Sequence, residues 1–186
     1  MNSIQNIDRL FKKVKKFQNT DPEVALMLAR KTAEAIAKHI IQASSFSPGG
    51  LMLDKLIEKM SSDNMVAKKI LNPLRTIQAY GNYGAHDQQN DYGEIDKEYA
   101  SPCIMAIETV YKWFDEKYGV PKNILNMSVN EIELSVKAAN ALNNANILTV
   151  GAVWAKSKAD LMKIFNNATA FAEIESALPK LGVKLE

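Results

Sequence analysis

Cysteine and histidine are nearly absent. The chain has one cysteine, Cys103, and two histidines in 186 residues. A single cysteine excludes an internal disulfide, and so few ligands exclude Cys/His metal frameworks. Long apolar runs are missing too, since no stretch approaches the ~18 residues a membrane span needs. Met1 to Thr20 lacks an apolar block ending in a small-residue cleavage site, so no signal peptide is expected. No membrane partner, metal or cofactor is therefore expected, and cytoplasm is the expected compartment. Strong charge of one sign is also lacking. The formal net charge is +2; residues 1–118 carry 16 basic and 15 acidic side chains, and residues 121–186 carry 7 and 6. Neither part has the excess of a dedicated non-specific DNA binder. The local exception is Arg9, Lys12, Lys13, Lys15 and Lys16, crowded into eight positions.

What is present is helical periodicity. Ile4, Ile7, Phe11, Val14 and Phe17 recur every three or four residues and predict an amphipathic helix over 3–18. Thr20 or Asp21 can cap the next helix, and Pro22 suits its first position. That helix, 22–43, is alanine-rich and apolar most of the way round, as a central buried helix should be. Its polar stripe is narrow: Arg30, Glu34 and Lys38, each four residues apart. Ser44 to Gly50 breaks the pattern. Helices are expected at 51–60 and 65–80, with Ser61 to Asn64 capping the second and Pro73 kinking it or marking its start. A last helix ends near Tyr118, with Ser101-Pro102 as a cap and first-turn pair. Gly119 to Met127 reads as a linker. Short helices follow at about 130–142, 149–155, 158–164 and 168–179, with Leu134 and Val136 in the core and Ser157/Asp160 as a capping arrangement. No alternating strand pattern of useful length occurs. The expectation is an all-α protein: a helical bundle over 1–118, a linker over 119–127 and a small helical domain over 128–186.

Val129 to Glu186 resembles the C-terminal domain of the bacterial RNA polymerase alpha subunit. The carrying residues are the run Glu133 to Leu142, then Ile147, Gly151, Val153, Leu161, Glu173-Ile174, Leu178 and Leu181-Gly182. The resemblance implies a small bundle of helix-hairpin-helix units that touches DNA or docks transcription factors. It places the principal DNA-contacting position at Lys137, with Asn140 beside it. It places the second hairpin at Asn167, Thr169 and Ala170, with Glu173 on the same surface. Lys137 lacks the planar fork of an arginine, and Asn167 stands where the family has a glycine that exposes backbone N–H groups.

Residues 21–118 resemble the HEPN superfamily, through Ala29 to Ile36, Leu56 to Met60 and the block Gly81-Asn82-Tyr83-Gly84-Ala85-His86. The resemblance implies an up-and-down helical bundle that dimerises and places this block, with Asn82 and His86, in a cleft. Catalytic members cut RNA without metal, using an arginine four to six residues before the histidine. Here residues 80–82 are Tyr, Gly and Asn, so only Arg30, oriented by Glu34, could supply that charge to His86.

Two expectations result. The first is a non-catalytic interaction or adaptor module in nucleic-acid metabolism. It is a homodimer through its N-terminal bundle and presents 128–186 to a protein or DNA partner. The alternative is a metal-independent, toxin-like ribonuclease using His86, Arg30 and Glu34.

Overall fold

The structure is a computed structural model that describes residues 3–44, 46–83, 95–165, 168–183 and 185, excluding the side chains of Asn82 and Tyr83. Among the described residues it is all-α, with no strand and one isolated antiparallel bridge, Ser128 to Thr149. The protein divides into two compact units, Ser3–Tyr118 and 119–186.

The first unit holds α1 (Ser3–Phe17), α2 (Pro22–Gln42), α3 (Leu53–Ser62), α4 (Lys68–Tyr83) and α5 (Lys97–Tyr118). Asp21 starts α2: its carboxylate accepts the Val24 N–H at 3.1 Å, and Pro22 takes the first helical position, where no N–H is needed. α2 packs against α1, α3, α4 and α5. Leu26, Ile36 and Ile41 on it are fully buried, each contributing ~1.5–3 kcal/mol by burial. Most of its apolar surface is thus covered within one molecule, while Val24, Met27, Leu28 and Ala35 are half-buried.

Three boundaries differ from the expectation. Ser61 and Ser62 belong to the end of α3, and α4 begins at Lys68, so Pro73 stands in its second turn. Ser101-Pro102 does not start a helix, because α5 runs unbroken from Lys97. It is capped by Asp96, whose carboxylate accepts the Tyr99 N–H at 2.7 Å. Each of these prolines deprives the carbonyl four residues earlier of its partner. Those carbonyls lie on Lys69 and Glu98, which are exposed, so water can satisfy them.

The second unit holds α6 (Lys122–Asn126), η1 (a 3-10 turn, Val129–Glu131), α7 (Val136–Asn144), α8 (Val150–Trp154), α9 (Lys158–Phe165) and α10 (Ala168–Lys180). It is a small helix-hairpin-helix type of bundle around Leu142, Ile147, Val153, Leu161, Ile174 and Leu178. The helix expected at 130–142 is split, because two serines each open a helix of their own. Ser128 forms a capping box with Glu131, and Ser135 accepts the Ala138 N–H. The split turns Val136 out of the core, and it is 77% exposed. The segment 119–127 is also not a plain linker. Val120, Ile124 and Met127 pack on the second core. The Met127 carbonyl accepts the Val150 N–H at 2.9 Å, and Val129 N–H donates to the Leu148 carbonyl at 3.0 Å. Gly151 permits this closeness, since a Cβ there would lie 2.9 Å from the Leu125 carbonyl oxygen. Trp113 and Trp154, at core-like spacings, are both half-buried.

Candidate functional site

In the second unit the N-terminus of α7 is fixed from two sides. The Ser135 hydroxyl accepts the Ala138 N–H at 3.2 Å, while Ser135 N–H donates to Glu173 Oε2 on α10 at 2.8 Å. Glu173 thereby sets a carboxylate at the positive end of a helix, where it is favourable. From this anchored end α7 turns Val136, Lys137 and Asn140 outward, all three exposed, while Ala138 and Leu142 point into the core. Asn143 donates to the Asn130 side chain at 3.2 Å and ties the helix to η1. The exposed surface offers one ammonium, one amide and one branched apolar side chain. Such a set suits mixed polar and apolar contact. It falls short of the several cations that a phosphate backbone draws on. A phosphate approaching the start of α7 also meets the Glu173 carboxylate. Asn167 lies outside the described residues; Thr169 is exposed, and Ala170 is buried.

In the first unit Arg30 and Glu34 pair across one turn of α2, Nε to Oε1 at 3.3 Å, with side chains 16% and 24% exposed. The start of the glycine block lies against the same arginine. A Cβ on Gly81 would come within 2.8 Å of Arg30 Cβ, so the absent side chain lets α4 close onto α2 there. The structure thus brings Gly81 to the Arg30–Glu34 pair. The Asn82 side chain and His86 lie outside the described residues, and so does the rest of the block.

Neither Glu173 as the tie to α7 nor the outward turn of Val136 is evident from periodicity alone. The Ser135-x-x-Ala138 spacing is the signal that could have revealed the helix start. Among the described residues no group of three or more His, Cys, Asp or Glu is placed to hold a metal. No described helix is long and apolar enough to cross a membrane.

Residues 116–180 match the family described as the C-terminal domain of the bacterial RNA polymerase alpha chain. The DNA-directed RNA polymerase subunit alpha of Syntrophomonas wolfei is 38% identical over 93 residues, which span 50% of this protein and 27% of that one. That of Dehalococcoides mccartyi is 34% identical over 70 residues, 37% of this protein and 21% of the relative. That of Borreliella afzelii is 28% identical over 102 residues, 55% and 29% respectively. The sequence spans less than a third of the length of these relatives. No solved structure matches. The class is therefore an all-α protein with a C-terminal unit similar to the end of a polymerase alpha subunit. Residues 12–145 match the family described as domain of unknown function (DUF4145), and the chain belongs to that family.

Proposed function

We propose that the protein is a non-catalytic interaction module in nucleic-acid metabolism, with the exposed face of α7 as its contact surface for a protein or DNA partner. One observation carries the reading. The unit similar to the polymerase alpha C-terminal domain turns Val136, Lys137 and Asn140 outward from a rigidly capped helix. Protein contact is favoured over naked DNA, because Val136 contributes apolar surface and Glu173 offsets the charge of Lys137. The test is a chemical-shift titration of the full-length protein with an A/T-rich duplex. Within the second unit this reading expects shifts on α7 only, and an affinity there no tighter than ordinary non-specific binding, Kd ~10⁻⁴ M at physiological salt. Micromolar binding that Lys137→Ala abolishes would instead make DNA the principal partner.

Pairing of two copies through the first unit belongs to the same proposal. α2 lends it little, since most of its apolar surface is buried within the molecule. The exposed apolar residues of this unit include Met105, Met52 and Phe46, and a homodimer would draw on such positions. Light scattering of the full-length protein decides between one copy and two.

The HEPN-type ribonuclease is the second reading, favoured by the approach of Gly81 to Arg30. Its arginine would act from α2 and not from the stretch before His86. Metal-free cutting of single-stranded RNA, lost in both His86→Ala and Arg30→Gln, would establish it.

A further inference from the structure

We propose a second contact surface, independent of α7: a stripe of Arg9, Lys13 and Lys16 on α1 that binds the phosphodiester backbone of a nucleic acid. The structure divides the five cations of this helix into two sets. Lys12 bridges Asp8 at 2.7 Å, and Lys15 pairs with Glu108 on α5. Both are held by carboxylates. Arg9, Lys13 and Lys16 have no carboxylate partner among the described residues and are exposed. Arg9 donates to the Asn6 side chain at 3.0 Å, and Lys16 lies 5.6 Å from the Phe17 ring centroid; neither contact neutralises charge. Their spacing of four and then three residues puts them on one face of the helix. Some cations elsewhere are matched, Lys55 with Glu58 and Lys59 with Asp63 on α3, and Lys158 with Glu175 and Lys163 with Asp160 around α9; Lys68, Lys69 and Arg75 on α4 are exposed as well and make the comparison set.

The opposite face of α1 decides what the stripe can meet. Ile7 and Val14 are fully buried, and Ile4, Phe11 and Phe17 pack on the first core. A basic amphipathic helix binds a membrane by inserting its apolar face, and here that face is already occupied. What remains is a linear cationic edge about 10 Å long, from seven residues at ~1.5 Å each. Duplex phosphates rise ~3.4 Å per charge on each strand along the helix axis, so an edge of this length can meet up to about three of them, one for each cation.

The test uses the full-length protein with Lys137→Ala, which removes the α7 charge, and a fluorescent duplex followed by anisotropy. Three phosphate contacts predict an affinity that falls about 40-fold between 50 and 200 mM salt. The triple variant Arg9→Glu, Lys13→Glu, Lys16→Glu should abolish binding. The variant Lys68→Glu, Lys69→Glu, Arg75→Glu, of equal charge change on the exposed face of α4, should keep it. If the α1 reversal unfolds the protein, the neutral set Arg9→Gln, Lys13→Gln, Lys16→Gln gives the readout. Equal loss in both helices, or loss in neither, overturns the proposal. Displacement of the duplex by polyglutamate at equal charge also overturns it, in favour of an acidic protein.

Discussion

Cys103 lies on α5 with none of its surface exposed, and burial pushes its thiol from 9.0 up to about 12. The group therefore stays protonated in the folded protein at pH values where the unfolded form ionises it. Its contribution to stability is complete below pH 9 and is lost as pH rises from 9 toward 12. While the two states differ by a full proton, the loss is about 1.4 kcal/mol per pH unit. Tyr111 acts in the same direction. Burial, then its hydrogen bond to Asp8 Oδ1 at 2.9 Å, raises its phenol above 10.0. Thermal melts from pH 8 to 11 should show stability declining above about pH 9, with a shallower decline in Cys103→Ala. Identical slopes for the two proteins would show that the thiol ionises as readily folded as unfolded. The same burial predicts slow reaction of Cys103 with thiol reagents at neutral pH, since the thiolate is the nucleophile.

At the scale of elements, three helices end by one device. After α3, Asn64 has φ 51° and Met65 N–H reaches back to the Met60 carbonyl. After α7, Asn146 has φ 57° and Ile147 N–H reaches Leu142. After α10, Gly182 has φ 74° and Val183 N–H reaches Leu178. Each is a Schellman cap with a left-handed residue, and glycine is its least strained occupant. Asn64→Gly and Asn146→Gly should each stabilise their unit by about 0.5 kcal/mol, and Gly182→Ala should cost about 1 kcal/mol. Denaturant melts of the three variants check both signs. Such devices also explain what can be read from the sequence. The apolar periods of α1, α2, α8, α9 and α10 place those helices within a residue or two, because burial of one face dominates their energetics. The same reading misplaces the starts of α4, α5 and α7: Ser61 to Asn64 look like a cap for α4 but close α3, and in α5 a proline in the second turn mimics a first turn. A serine cap inside an apolar pattern likewise leaves the period intact while breaking the helix. Of the candidate residues, the resemblance places Lys137 and Asn140 together, and both lie exposed on α7. The bond from Ser135 to Glu173 crosses 38 positions, and no local spacing encodes it.

On the scale of the whole molecule, the place where the second unit begins is testable. The sequence puts a linker over 119–127, because Gly119, Pro121 and the short polar run look like a break. The structure gives that stretch three attachments to the unit that follows. Val120, Ile124 and Met127 cover part of its core. The Met127 carbonyl accepts the Val150 N–H. α6 sits against α8 at Gly151, where a Cβ would collide with the Leu125 carbonyl. Each half-buried side chain contributes ~1 kcal/mol, so losing three costs ~3 kcal/mol. The Val150 N–H left without its partner adds ~1 kcal/mol. For a unit of this size, whose margin is only ~3–5 kcal/mol, that is most of the stability. A fragment of residues 119–186 should fold alone and melt cooperatively, while 128–186 should be largely unfolded at 37 °C. Gly151→Ala in the longer fragment should move it toward the shorter one, because the added methyl group pushes α6 away from α8. Circular dichroism melts of the three proteins decide it. Equal melting temperatures for 119–186 and 128–186 would return 119–127 to the status of a tether.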